Sequence, residues 1–357
     1  MKKILALMLG IVLAVALFAG CKVAAETTAA AETTAAAAET TAAAAETTAA
    51  ASEVNPGDIT FGNLAWSTAD EWNAWGIDAW KWKAEKIGVK VEVLDCQKDP
   101  EEQITQAQDF INKGIDGISI FPSSPDVAAT ITRMCNEAGI PIAIENIFLP
   151  EDGSAGEVVG QVACRYGDIG YAAIEYAAKT WPGCKLLYVH GGPGVGVYED
   201  YKVGVDKALE DYKDKVEMVG LVNGNWETEA SYNVTTDFIN AGTSDFDVVF
   251  ANNDLQAVGV HNALKENGME NIPILSTGGS LQGYEMVMNG IQAANMTAPV
   301  NIQGIMVFDF LWDFVSGAGV KNPNVPLPVI PVGKDNIKDW ISWDNHEAAQ
   351  AYIDANY

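Results

Sequence analysis

Ten tryptophans stand in this chain of 357 residues, and several of them sit beside carboxylates and amides. The densest group is Trp66, Asp70 and Trp72, with Ser67, Thr68 and Glu71 between them. An indole face stacks on the C–H side of a saturated ring, and a carboxylate accepts two hydroxyl hydrogen bonds at once. That pairing suits a small hydroxyl-bearing ligand. A second account covers part of the same stretch: Trp72, Trp75, Ala79 and Trp82 recur with helical spacing and form one face packed on a sheet. Trp66 and Trp72 are read as ligand contacts. Trp75, Trp80 and Trp82 are read as core or groove wall.

Further polar groups recur where apolar runs end. Ser123, Ser124 and Asp126 form one such group, in which Ser124 also suits a helix N-cap with Pro125 behind it. Glu145 and Asn146 form another, at the end of an apolar run. Glu199 and Tyr201 open a helix after the glycine-rich turn 191–196. That turn could cradle a phosphate, but it matches neither GxGxxG nor a P-loop, so it reads as a close approach of backbone to a cleft. Trp226 lies in a polar loop after Asn223-Gly224-Asn225 and is a stacking candidate. Asn253 and Asp254 end another apolar run and are the strongest polar pair, although either could simply cap the next helix.

Signals for catalysis are thin. The three histidines, His190, His261 and His346, have no metal-ligand spacing with one another or with a cysteine, and no GxSxG elbow occurs. No metal and no cofactor is expected. Net charge is -27, from 48 acidic and 21 basic residues, so a basic face for nucleic-acid phosphates or anionic lipid is absent. The ligand is expected to be neutral and the protein monomeric. None of the five cysteines forms a CxxC pair. Cys96, Cys135, Cys164 and Cys184 are read as buried free thiols.

The first residues read as an address. Lys2 and Lys3 precede an apolar run over 4–18, then Ala19, Gly20 and Cys21. This is the pattern of an export signal, too short for a good spanning helix. The small residues before Cys21 resemble the bacterial lipoprotein box, which implies a lipidated Cys21, although Phe18 stands where leucine is usual. Residues 24–52 repeat Ala-Glu-Thr-Thr-Ala-Ala and hold no large apolar side chain, so they cannot bury a core. As a coil of about 30 residues this tether would reach roughly 30 Å.

From residue 59 the elements that must position these groups alternate. Apolar strands are expected over 59–64, 90–94, 117–121, 141–144, 158–163, 185–189, 216–221, 248–251 and 273–276. Helices are expected over 70–86, 100–113, 125–138, 166–180, 198–212, 227–241, 255–267 and 283–289. Hydrophobic residues are 48% of the chain, enough for two cores at this length. Nearly all-apolar strands with helices between them imply parallel sheets covered on both faces and right-handed crossovers. A polar break at 145–156 divides two such sets into lobes with a cleft between them. Ligands of open α/β sheets sit beyond the carboxyl ends of the strands, where the groups named above stand.

The order of motifs resembles the sugar-binding proteins of bacterial uptake transporters, the ribose and galactose type of periplasmic binding protein. The matching stretches begin with Asp99-Pro-Glu-Glu-Gln-Ile-Thr-Gln, Ile111-Asn-Lys-Gly-Ile-Asp-Gly-Ile and Ala138-Gly-Ile-Pro-Ile. They continue with Phe250-Ala-Asn-Asn-Asp-Leu-Gln-Ala-Val-Gly and Ala263-Leu-Lys, and the likeness spans about 58–336. It implies an α/β fold of two Rossmann-like doubly wound lobes joined by a three-crossing hinge. With the signal peptide read at 1–20 and the tether at 21–56, the expected lobes are lobe one at 57–146 with about 298–328 and lobe two at 147–297 with about 329–357. It implies capture of a small sugar and delivery to the permease of an ABC transporter. The same fold also presents ligands to chemoreceptors or sensors, and an exported α/β enzyme is the remaining alternative. Carried over residue by residue, the family's contacts fall near Asp70 and Trp72, and on Ser124, Glu145, Asn146, Trp226 and Asn253. The family's clamping arginine lands near Glu199 or Tyr201, an aspartate lands on Gly278, and a late amide lands near Thr297. These departures point away from ribose and galactose, and the Trp-rich, Arg-poor site towards a less hydroxylated or differently shaped sugar such as a deoxyhexose.

Overall fold

The computed structural model describes residues 54–357, apart from 151, 195 and 243–244. Cys21, the export signal and the repeats up to residue 53 lie outside the described residues. Five strands open the fold: β1 (Thr60–Ala65), β2 (Lys90–Asp95), β3 (Gly117–Ile120), β4 (Ile142–Glu145) and β5 (Gly160–Cys164). Between the first four run α1 (Glu71–Ile87), α2 (Pro100–Lys113) and α3 (Pro125–Ala138). Each helix is punctuated as its sequence dictates. Asp70, Asp99 and Ser124 cap the N-termini, and Gly88, Gly114 and Gly139 close the C-termini in the left-handed region.

A second alternation follows: α4 (Tyr166–Thr180), β6 (Cys184–His190), α5 (Val197–Asp211), β7 (Val216–Asn223), α6 (Thr228–Asn240), β8 (Val248–Ala251), α7 (Asp254–Glu266), β9 (Ile274–Gly278), α8 (Leu281–Met288) and β10 (Gln292–Thr297). The chain ends with α9 (Val300–Val315), β11 (Asn324–Leu327), β12 (Ile330–Val332) and α10 (His346–Asn356). No element was assigned from sequence beyond residue 289, so all five of these last elements, β10 included, are additions.

Two six-stranded sheets result, in the orders β2-β1-β3-β4-β5-β11 and β7-β6-β8-β9-β10-β12. Every pairing is parallel except β10 with β12. The two-lobed doubly wound α/β class therefore holds. The lobe boundaries are corrected in two places. β5 pairs with β4, Ala143 opposite Gly160, so the chain leaves the first sheet after Cys164 and not at 147. Gly160 makes this possible, because a Cβ there would overlap the ring of Phe310 on α9. The C-terminal helix α10 also returns to lobe one: His346 Nε2 lies 2.9 Å from Asp78 and Lys83 Nζ 2.6 Å from Gln350, both on α1. The lobes are thus linked at 164–166, 297–300 and 327–330, and a fourth time by residues 340–346.

α9 is the central support of lobe one. Eleven of its sixteen residues are buried, on all sides, against α1 and the sheet. Gly304 lets α9 meet α1 at Gly76, since a Cβ on Gly304 would overlap the Gly76 carbonyl. The four described cysteines are buried and unpaired. Burial pushes the thiols up to about 11 at Cys96 and about 12 at Cys135 and Cys164, which leaves them unreactive.

Candidate ligand-binding site

A cavity with about 570 Å³ of empty space, its mouth included, opens at the carboxyl ends of the strands. That is within the range of small-molecule sites. Lobe one lines it with Trp66, Asp70, Trp72, Phe121 and Asn146, and lobe two with Tyr166, Val197, Tyr201, Trp226, Asn252 and Asn253. Seven side chains named from sequence therefore meet here: Trp66, Asp70, Trp72, Asn146, Tyr201, Trp226 and Asn253.

Each is held by its local fold. Trp66 leaves β1 and stacks on Phe121, ring centroids 6.2 Å apart, with Lys98 Nζ 4.8 Å from the indole. Asp70 caps α1 by accepting from Asn73 N at 3.0 Å. Burial raises its pKa, opposed by that bond and by the charge of Lys98. Trp72, in the first turn of α1, lies between Tyr166 at 6.5 Å and Trp343 at 5.3 Å. Asn146 holds a positive φ of 75°, a strained state for asparagine. Its backbone N–H donates to Val162 O at 2.9 Å and Gln303 Oε1 at 3.0 Å, and its side-chain oxygen accepts from the Tyr166 hydroxyl.

Trp226 and Asn225 also hold positive φ, 66° and 52°. The indole is fixed by Nε1 donating to Gly192 O at 3.2 Å, and it covers Gly191, where a Cβ would overlap it. The glycine-rich turn is therefore a floor for Trp226. Asn253 caps α7 by accepting from Gln256 N at 2.8 Å and donates to Trp226 O at 3.3 Å, so it braces the stacking loop. Asn252 accepts from Tyr188 Oη at 3.0 Å and Gly191 N at 2.9 Å.

Five other candidates stand outside the cavity lining. Ser124 caps α3 through Val127 N. Glu199 is exposed and accepts from Gly194 N at 2.9 Å. Thr297 donates to Ile330 O at 3.0 Å, beside the hinge. Glu145 is buried under the hinge beside Gly76, and neither of its oxygens has a hydrogen-bond partner. Burial pushes its carboxyl up to about 8, with the side chain of Asn63 pulling the other way. Asp254 is an internal staple: its carboxylate accepts from Ser276, Ser280, Gln292 and Asn295 side chains and from the N–H groups of Gly279 and Ser280. It also fills the space beside Gly278, where a Cβ would overlap it.

Tyr201, named beside Glu199, also lines the cavity, while sequence reasoning missed Phe121, Tyr166, Val197 and Asn252 as lining. Phe121 ended an expected strand, Tyr166 began an expected helix, and Asn252 adjoined the chosen pair, so a wider reading of each strand end would have reached them. The resulting site is aromatic: among the described residues Asp70 is the only carboxylate that lines it, and no lysine, arginine or histidine does. Among the described residues no cluster of His, Cys, Asp or Glu could hold a metal ion.

A family model for the periplasmic binding protein domain matches residues 61–319. The chain belongs to the periplasmic binding protein family. The ribose import binding protein of Escherichia coli is 27% identical over 215 residues, covering 60% of this chain and 70% of that protein. The D-xylose-binding periplasmic protein of the same organism is 23% identical over 278 residues, covering 73% and 83%. A solute-binding protein of a Bacillus halodurans ABC transporter, solved with bound myo-inositol, superposes with a TM-score of 0.73 at 22% identity, covering 80% of this chain and 98% of that one. A galactofuranose-binding protein does so at 0.72 and 21%, covering 82% and 99%. Membership makes this chain a binding protein, which accounts for the lack of catalytic constellations. Among the described residues no helix is long and apolar enough to cross a membrane.

Proposed function

We propose that this protein is an extracytoplasmic solute-binding lipoprotein that captures a small neutral sugar between its lobes and delivers it to an ABC transporter. One observation carries the reading: an aromatic cavity, with no cationic side chain among the described residues that line it, lies at the strand ends of both lobes. Indole faces from Trp72 and Trp226 stack on the C–H faces of the sugar. The Asn146, Asn252 and Asn253 amides and the Asp70 carboxylate meet its hydroxyls. A single lining carboxylate among so many rings favours a monosaccharide with few hydroxyls, such as a deoxyhexose. The relatives named for ribose and D-xylose support the sugar class.

Lipid on Cys21 keeps the protein on the outer face of the membrane, and the Ala-Glu-Thr-rich tether lets it reach its permease as a monomer. Contacts made to both lobes favour the closed form, so ligand shifts the population towards closure. Small-angle scattering of the full chain tests this: saturating sugar lowers the radius of gyration. An unchanged curve at saturation removes the inter-lobe site.

A further inference from the structure

Residues 340–346 form a connection between the lobes that lies outside the span matched by the family model. Trp343 is its centre and is buried. Its backbone N–H donates to Gly279 O in lobe two at 3.1 Å, and its Nε1 donates to Ala298 O in the hinge at 3.2 Å. Gly279 is required there, because a Cβ would stand 2.5 Å from that Nε1. Asn301, at the start of α9, donates to Ser342 O at 2.9 Å and closes the segment onto lobe one. The Trp343 ring meets Trp72 edge to face, centroids 5.3 Å apart and planes at 78°.

We propose that Trp343 is a positioning residue for the ligand site: it seats the Trp72 indole against the cavity and couples that seat to the hinge. The inference rests on the reading of the cavity as the sugar site. The physical reason is the density of the contact. A stacking ring binds best when its orientation is fixed by packing behind it. Trp72 has Tyr166 on one side and Trp343 on another. Trp343 is itself bonded to lobe two and the hinge, so the rear wall of the site moves with the hinge.

The test is a double-mutant cycle on the full chain. Calorimetric titration uses D-ribose, D-xylose, D-galactose, 6-deoxy-D-galactose and myo-inositol, and the tightest binder serves as probe. Trp343→Ala lowers its affinity about 10-fold, an aromatic pair's worth. Because the effect passes through Trp72, the Trp72→Ala/Trp343→Ala double variant loses little beyond Trp72→Ala alone. If Trp343→Ala does not fold, Trp343→Phe carries the cycle with a smaller loss. His346→Gln is the control: it frees α10 from Asp78 without reaching the cavity, and affinity stays within 2-fold. Additive losses, or an equal loss in His346→Gln, overturn the proposal. A ligand-free measurement separates it from the sugar reading. In protein labelled with 5-fluorotryptophan, the Trp72 resonance, assigned through Trp72→Phe, is one sharp line that Trp343→Ala broadens or splits. An unchanged sharp line overturns the proposal. Failure of every sugar to bind counts against the sugar reading and leaves the fluorine result to decide on Trp343.

Discussion

The indole of Trp226 lies across the backbone of Gly191, so closely that a side chain on Gly191 would occupy the ring's place. One strand end of lobe two thus supplies the floor and the next supplies the ring. Gly191→Ala therefore displaces Trp226. Sugar affinity should fall at least 5-fold, on the order of 1 kcal/mol for a lost stacking contact. The circular dichroism of the fold should be unchanged. Titration of the variant checks this, and undiminished affinity would show that Trp226 does not hold ligand.

Glu145 predicts a pH dependence of stability. Its folded pKa is raised from 4.5 to about 8 by burial. Its contribution is fully present below the unfolded value near 4.5 and is lost as pH rises through 8, because only the unfolded chain ionises freely in that window. Glu145→Gln removes this fall, so the variant should melt higher than the unaltered protein at pH 8 and similarly at pH 4.5. Melting temperatures across that range are the check. Parallel curves for the two proteins would mean that Glu145 is not the buried acid described.

Asp254 predicts a stability effect without a binding effect. From the start of α7 it ties β9, β10 and the start of α8 together through buried donors. Asp254→Ala should destabilise by about 3 kcal/mol or more, since it strands several buried donors at once. Denaturant titration measures that loss. The folded fraction should bind sugar within 2-fold of normal, and a large loss of affinity would return Asp254 to the ligand site.

The βαβ alternation was legible because parallel strands covered on both faces are nearly all apolar, as Val248–Ala251 is throughout and Ile142–Glu145 is up to its last residue. Which sheet a strand joins was not legible. β5 reads like any other strand, and its place beside β4 depends on a distant fit, Gly160 leaving room for Phe310 of α9. α9 is apolar on every side, so it lacks the stripe that marks a surface helix. The candidate site was legible where a strand end placed an indole or amide in the loop or first helical turn that follows, as at Trp66, Trp72, Asn146 and Trp226. It was not legible where two accounts of one residue predict the same letters. Ser124 caps a helix and Asp254 staples a sheet, while Asn253 both caps a helix and lines the cavity. Trp343 stands 271 positions from Trp72, beyond any periodicity that could join them.

The central claim, that a neutral sugar is held between Trp72 and Trp226, is tested most directly by calorimetric titration of the unaltered protein and of Trp226→Ala with the five neutral ligands named above. The account predicts one-to-one binding of at least one of them, weakened at least 5-fold in Trp226→Ala and nearly indifferent to salt, because no ionic contact is made. Absence of binding by all five, equal affinity in the variant, or a 10-fold loss between low and physiological salt would contradict it.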